Sequence, residues 1–201
     1  MSPCILVVCT ANQCRSPVGQ ALLSTMPDGR SWPDPGWRVA SAGVAARDGA
    51  PAVNDSVRIA SDWGVDLSTH RARRLDRDLV DAADLVVTME TGHLADVLRL
   101  VPSALPRSFA WLELARLATS MRVDDATWDD EDVADATSRL HVATRALHHA
   151  RPLTPGAEGP EDVADPIGRP STAFDAMADT LVRAAEQFAP LLVGAEGPSP
   201  D

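Results

Sequence analysis

A cysteine and an arginine separated by five residues stand near the start of the chain, in Cys9-Thr10-Ala11-Asn12-Gln13-Cys14-Arg15. The apolar run Ile5-Leu6-Val7-Val8 precedes them and Ser16-Pro17 follows, so the pattern predicts a strand, a tight loop and a helix. Backbone N–H groups of such a loop form an anion-binding concavity, and a guanidinium can grip two phosphate oxygens. The same positive surroundings favour the thiolate of Cys9, a nucleophile for phosphoryl transfer.

A cysteine-dependent phosphatase also needs a proton donor, because expelling an alkoxide or phenolate is costly. The strongest candidate is Asp165, in Asp165-Pro166. A residue before proline is held extended, so its carboxyl group can project toward a pocket. We expect Cys9, Arg15 and Asp165 to be catalytic. The predicted phosphate-binding residues are Thr10, Ala11, Asn12, Gln13, Cys14, Arg15 and Ser16.

Composition limits the classes of protein that need to be considered. The chain has 201 residues, 45% of them hydrophobic and 23% charged, which is typical of one globular domain. The net charge of −11 argues against nucleic acid and anionic membranes as partners. Without a membrane span or signal peptide in the sequence, we expect a cytoplasmic protein. All three cysteines lie in the first fourteen residues, which favours neither a disulfide scaffold nor a zinc site, and no metal is expected.

Strand and helix patterns alternate along the chain and predict a doubly wound α/β sheet. In such sheets ligands bind beyond the carboxyl ends of the strands, where Cys9 falls. Asn54 is predicted to cap a helix. Predicted strands after the first are 37–43, 84–89 and 107–112; predicted helices are 91–100, 129–150 and 174–192, with a loop at 27–36 and a linker at 152–160.

Residues 113–162 differ from the rest in charge, with eleven acidic and five basic side chains. The spacing of Val133, Leu140 and Leu147 predicts an amphipathic helix within them. We expect residues 1–192 to form one domain, with 113–162 as an acidic helical insertion and linker and 193–201 as a flexible tail. The insertion reads as a solvated helical decoration, with a lid or a docking arm as the alternatives.

Several segments together resemble the low-molecular-weight protein tyrosine phosphatase family. They are 8–17, Ser41-Ala42-Gly43, 64–67 through 70–73, 83–89 and Asp165-Pro166. The resemblance covers about residues 3–112 and 163–192, and the matching segments occur in the same order as in the family. It implies a four-stranded parallel sheet with helices on both faces, no cofactor, and hydrolysis through a phosphocysteine.

The resemblance also implies a role for each matching residue. Cys9 would be the nucleophile, Arg15 the phosphate clamp, Ser16 a donor to the thiolate and Asp165 the general acid and then the base. Asn12, Ser41 and His70 would brace the loop from beneath. Cys14 matches a second loop cysteine that can form a reversible disulfide with the nucleophile, or it is simply a small buried side chain.

The walls of the predicted pocket leave the substrate open. Family members that act on phosphotyrosine flank the pocket with aromatic residues, whereas segments 44–48 and 167–169 contain none and Gln13 replaces an aliphatic residue. The expected substrate is a phosphorylated protein, foremost on tyrosine, or a small phosphoester. Arsenate reduction with an external small thiol is the alternative, and a non-catalytic phosphate-binding module is disfavoured by the intact Cys9, Arg15 and Asp165. The sequence does not decide the oligomeric state.

Overall fold

Four short strands form one parallel sheet in the order β2-β1-β3-β4. Their bounds are Cys4–Cys9 for β1, Arg38–Gly43 for β2, Leu85–Thr88 for β3 and Ser108–Ala110 for β4. The structure is a computed structural model that describes residues 3–25, 37–120, 136–151 and 161–193. All six residues of β1 are buried, as expected for a parallel strand covered on both faces. The predicted sheet is confirmed.

The chain order places a ligand-binding crevice beside β1. After β1 the chain moves to β2 on one side, and β3 then returns to the other side of β1. Cys9 pairs with Gly43 and Val8 with Thr88, so all three strands end at the same level. A reversal of strand order at the carboxyl ends of parallel strands is where α/β sheets bind ligands.

Helices cover both faces of the sheet. The described helices are α1 Arg15–Ser24, α2 Asn54–Asp62, α3 Arg77–Asp81, α4 Thr91–Leu100, α5 Trp111–Ser120, α6 Ala136–Ala150 and α7 Ser171–Val193, with a 3₁₀ helix at Pro102–Arg107. One face of the sheet packs against α1, α5, α6 and α7, and the other against α3 and α4.

Within the described residues, the predicted strands and helices are confirmed apart from their boundaries and one cap. Val53, not Asn54, is the capping residue of α2, and no side chain caps that helix. The prediction for Asn54 was wrong because Val53, whose N–H is bonded to the Gln13 carbonyl at 2.9 Å, already has the extended backbone of a cap. The predicted loop 27–36, linker 152–160, residues 129–135 of the predicted long helix, and 194–201 of the predicted tail lie outside the described residues.

The part of the predicted insertion that the structure describes is packed rather than solvated. Its predicted start at 113 falls inside α5, in which Leu114 and Leu117 are fully buried. In α6, Leu140 and Leu147 are also fully buried. The expectation of a solvated decoration was therefore wrong for α6, because the apolar stripe that predicts the helix faces the core.

Arg151 attaches the end of α6 to the sheet edge. Its guanidinium carbon lies 4.2 Å from the centre of the Phe109 ring in β4. Its Nε donates to Glu113 Oε1 of α5 at 2.8 Å. The cation–π contact and the ion pair hold α6 against β4 and α5.

Candidate active site

Cys9 ends β1 and is the first residue of the site. Its thiol is buried, with 3% of the residue exposed. The Sγ atom lies 3.0 Å from Ser16 Oγ and 3.3 Å from the backbone N of Asn12, which donates to it. A hydroxyl and a backbone N–H are groups that can donate hydrogen bonds to a sulfur nucleophile.

Asn12 is the central support of the loop. Its φ of 54° is left-handed, a conformation in which asparagine costs less than most residues. Its Nδ2 donates to Ser16 Oγ at 2.9 Å and to Ser41 Oγ at 2.8 Å, while its Oδ1 accepts from the backbone N of Arg73 at 2.9 Å. His70 Nε2 lies 2.8 Å from the Asn12 carbonyl oxygen and donates to it. The predicted brace residues therefore meet.

The brace also contacts the Ser16 hydroxyl. Ser16 Oγ accepts from Asn12, and its own hydrogen has two acceptors within reach, the sulfur of Cys9 at 3.0 Å and the Ala42 carbonyl at 3.3 Å. Ser41 Oγ likewise accepts from Asn12 and donates to Gln20 Oε1 at 2.6 Å. Sequence reasoning missed Gln20, although its position one turn after Ser16 on α1 places it beneath the loop.

Arg15 is almost completely buried and pairs with two carboxylates. Its Nη1 donates to Glu90 and to the Val163 carbonyl at 2.9 Å. Its Nη2 donates to Asp165 Oδ2 at 2.8 Å and to Thr10 Oγ1 at 3.3 Å. A guanidinium with only 2% exposure needs this charge compensation, since an unpaired buried charge is strongly destabilising.

The structure brings Asp165 to the loop from 150 residues away in sequence. The N–H of Val163 donates to the Met89 carbonyl at 2.8 Å, which fastens the segment before Asp165 to the end of β3. Asp165 Oδ1 accepts from the N–H of Ile167 at 3.1 Å, which orients its carboxylate. The side chain is 43% exposed, so this carboxylate faces both the guanidinium and solvent.

Glu90 and His93 also belong to the site, and sequence reasoning missed both. Glu90 follows β3, the strand next to β1, so the rule that ligands bind at such strand ends could have identified it. His93 lies in the first turn of α4, with Nε2 2.9 Å from Thr10 Oγ1. Within the described residues, no group of three or more His, Cys, Asp or Glu side chains is placed to hold a metal ion.

The rim of the pocket is polar and aliphatic. Gln13 donates from Nε2 to the Pro51 carbonyl at 3.0 Å, which leaves its Oε1 available as an acceptor. Ile167, beside Asp165, is 51% exposed. Among the aromatic residues that the structure describes, Phe109, Trp111 and Phe188 are fully buried in the core.

Cys14 is buried next to the nucleophile and is a free thiol, as is Cys9. Burial raises the pKa of the Cys14 thiol to about 12, and the nearby Cys9 adds to this effect. Cys14 is therefore protonated at neutral pH. The Cys9–Cys14 disulfide stays a prediction.

Gly43 gives a prediction about the loop, because a Cβ there would meet backbone. It would lie 2.6 Å from the Thr10 carbonyl oxygen and 2.7 Å from the Asn12 nitrogen. We expect Gly43→Ala to shift the loop and reduce turnover of a phosphate ester by about a hundredfold, the usual effect of ångström-scale misplacement. The matched control is Gly92→Ala, whose Cβ meets nothing within 4 Å and which we expect to keep full activity. Equal activity of both variants would contradict the close packing.

His70 gives a prediction about pH. Burial lowers its pKa, and the neighbouring charge of Arg73 acts in the same direction. Below about pH 6.5 the unfolded chain therefore binds a proton that the native state resists. The free energy of unfolding consequently decreases as the pH is lowered from 7.5 to 5.5. Urea unfolding at pH 7.5 and 5.5 measures this slope. We expect His70→Gln, which retains a donor for Asn12, to reduce it, and the exposed control His149→Gln to leave it unchanged.

In the part of the chain that the structure describes, no helix is both long and apolar enough to cross a bilayer.

Comparisons with known proteins agree with this geometry. The family model for low molecular weight phosphotyrosine protein phosphatase matches residues 4–125. The probable low molecular weight protein-tyrosine-phosphatase EpsP of Ralstonia nicotianae is 43% identical over 93 residues, which are 46% of this chain and 59% of EpsP. Etp, the low molecular weight protein-tyrosine-phosphatase of Escherichia coli K12, is 37% identical over 112 residues, 54% of this chain and 71% of Etp.

A solved structure shares the fold. The YwlE arginine phosphatase from Geobacillus stearothermophilus superposes with a TM-score of 0.63 at 26% identity, and the superposition covers 93% of this chain and 90% of YwlE. In the sequence match, the chain spans only 59% of the length of EpsP. The Cys9 loop and the sheet that supports it lie inside the matched residues, and the chain belongs to the low molecular weight protein-tyrosine phosphatase family.

Proposed function

We propose that this protein hydrolyses phosphate monoesters through a phosphocysteine on Cys9, acting on phosphorylated proteins as a protein-tyrosine phosphatase. The observation that carries the proposal is the meeting of three groups at one strand end. Cys9 closes β1, Arg15 opens the following helix, and Asp165 lies 2.8 Å from the Arg15 guanidinium. They supply a nucleophile, an anion clamp and a proton carrier.

The first half-reaction forms the phosphocysteine. The Cys9 thiolate attacks phosphorus in line, the bond from phosphorus to the leaving oxygen breaks, and that oxygen takes the proton of Asp165. Loop N–H groups and Arg15 hold the three equatorial oxygens while negative charge spreads over them. The hydrogen bond from Ser16 stabilises the sulfur when it later leaves.

The second half-reaction regenerates the enzyme. Asp165, now a carboxylate, removes a proton from water, and the water oxygen attacks phosphorus as the phosphorus–sulfur bond breaks. The products are inorganic phosphate, the Cys9 thiolate and a protonated Asp165. Atoms and protons balance without a further reactant.

Substrate binding must rearrange the pairing of Arg15. In the structure, Nη2 donates to Asp165, whereas Nη1 is held by Glu90 and the Val163 carbonyl. A phosphate dianion can take the place of Asp165 at Nη2 while Glu90 keeps the guanidinium in position. The displaced carboxyl group then lies beside a negative charge, which favours its protonated form and prepares it to donate.

A second candidate substrate is phosphoarginine. The YwlE structure is described as an arginine phosphatase, and here Gln13 offers a carboxamide oxygen where the rim lacks an aromatic side chain. That oxygen could accept an N–H of a guanidino leaving group, which phenol does not provide. The relatives described above carry phosphatase names, which does not favour the arsenate alternative.

A substrate panel tests the proposal. We expect turnover of p-nitrophenyl phosphate, inhibited competitively by inorganic phosphate and vanadate. A phosphotyrosine peptide should have a higher kcat/KM than a phosphoarginine peptide of the same sequence; the reverse order would move the assignment to arginine. Absence of turnover on every phosphorylated substrate, together with thiol-dependent reduction of arsenate, would overturn the phosphatase proposal.

A further inference from the structure

His93 is a buried histidine that none of the steps above uses. It lies in the first turn of α4 with 4% of its surface exposed. Its Nε2 is 2.9 Å from Thr10 Oγ1 and 3.8 Å from Glu90 Oε2. Among the residues that the structure describes, its Nδ1 has no hydrogen-bond partner. A polar ring buried this way against the phosphate loop calls for an explanation.

Two independent observations place the ring hydrogen on Nε2. The Glu90 carboxylate lies on the Nε2 side, where its negative charge favours a hydrogen. A hydrogen on Nδ1 would be a buried donor without an acceptor, which is costly. The tautomer of a histidine is set by what each nitrogen faces, and both nitrogens here favour the Nε2–H form.

Burial favours the neutral form of the ring. Burial is the main cause that lowers the pKa of His93, and the guanidinium of Arg15 acts in the same direction. Glu90, the residue just before α4, has the opposite effect and raises the pKa of His93. So do the two further carboxylates that face the ring, Asp96 on α4 and Asp162 on the loop before Asp165.

This tautomer determines what the Thr10 hydroxyl can do. Thr10 Oγ1 then accepts one hydrogen bond from His93 Nε2 and another from Arg15 Nη2, 3.3 Å away. A hydroxyl has two lone pairs and one hydrogen, so both acceptor sites are used and the hydrogen remains. His93 and Arg15 are buried whereas Thr10 is exposed, so the remaining O–H can donate to an anion that reaches the loop from solvent.

We propose that His93 is a positioning residue that orients the Thr10 hydroxyl as a hydrogen-bond donor to the phosphoryl group of the substrate. The inference rests on the proposed function and adds a side-chain donor to the backbone N–H groups of the loop. Thr10 touches the substrate; His93 acts through it. The opposite tautomer would make Thr10 donate to His93 and leave no hydrogen for a ligand.

The tautomer is tested first, on the unmodified protein. Two-bond ¹H–¹⁵N correlation spectra of the ¹⁵N-labelled protein distinguish the protonated from the unprotonated ring nitrogen. We expect a neutral His93 ring with hydrogen on Nε2. A hydrogen on Nδ1 overturns the proposal, and this result requires no variant to fold.

A double-mutant cycle tests the coupling, with the dissociation constant of inorganic phosphate as the readout. We expect Thr10→Val and His93→Leu each to weaken phosphate binding by about tenfold, the usual effect of losing one hydrogen bond to an ion. The double variant should bind no more weakly than the worse single variant. Losses that multiply would show that His93 does not act through Thr10 and would overturn the proposal.

Conservative variants and an unrelated histidine complete the cycle. Thr10→Ser keeps the hydroxyl, and His93→Gln can place an amide N–H near Nε2, so both should recover most of the affinity. His149→Leu, on the exposed part of α6, should leave affinity unchanged. Phosphate binding and the ring tautomer are measured without turnover. Their failure is therefore distinguishable from failure of the proposed function, which would appear as wild-type protein that hydrolyses no phosphate ester.

Discussion

Cys9→Ser is expected to lower turnover of p-nitrophenyl phosphate by a factor on the order of a million, as for other enzymes that lose a covalent nucleophile. Serine keeps the size of the side chain and a hydrogen-bonding group. Its hydroxyl is not ionised at neutral pH, however, and within the described segments the hydrogen-bond partners of Cys9 Sγ are Ser16 and Asn12 rather than a histidine base. Initial rates with the chromogenic substrate measure the effect.

The matched control is Cys4→Ser, at the other end of the same strand. Cys4 is buried like Cys9, with 4% exposure, so the control carries a similar cost of burying a hydroxyl. We expect Cys4→Ser to lose stability in urea unfolding and to keep its kcat. A Cys9→Ser protein that retains a tenth of wild-type turnover would show that the nucleophile is another residue.

Asp165→Asn is expected to have the second largest effect, and the size of that effect depends on the leaving group. With phenyl phosphate, whose leaving oxygen needs a proton, kcat/KM should fall by about a hundredfold to ten-thousandfold, as expected for loss of a general acid. With p-nitrophenyl phosphate, whose phenolate leaves readily, formation of the phosphocysteine should suffer much less. The variant also loses the charge that pairs with Arg15 Nη2 at 2.8 Å, so phosphate should bind no more weakly.

Asp162→Asn is the control for the same loop. Asp162 lies three residues before Asp165, and its Oδ1 accepts from the N–H of Thr91 at the start of α4 at 2.7 Å. We expect it to keep the leaving-group dependence of the wild-type enzyme. If kcat/KM, which reports formation of the phosphocysteine, fell equally on both esters in Asp165→Asn, or did not fall with phenyl phosphate, another group would be the acid.

Local chemistry made the loop predictable from sequence. The apolar run before Cys9, the helix-starting Ser16-Pro17 and the five-residue spacing to Arg15 are each short-range signals, and the structure confirms the strand, loop and helix that they predict. Asp165 was predictable as a candidate because its proline neighbour restricts the backbone.

The partners of Arg15 were harder to predict because they depend on how strands align. Glu90 reaches the guanidinium only because β3 pairs with β1 so that Thr88 lies beside Val8. That register is a property of the assembled sheet, not of any local pattern. The packing of α6 against the core was missed for a related reason, since an apolar stripe shows that a helix has a buried face without showing what covers it.

The covalent intermediate provides the most direct test of the mechanism. Asp165→Asn should form the phosphocysteine from p-nitrophenyl phosphate but hydrolyse it slowly, because the base for the attacking water is missing. Acid quenching during turnover, followed by peptide mass spectrometry, should find a phosphoryl group on the peptide that carries Cys9 and none in Cys9→Ser. A phosphoryl group on a different residue, or turnover by Asp165→Asn with no phosphorylated peptide and no burst of p-nitrophenol, would contradict catalysis through Cys9.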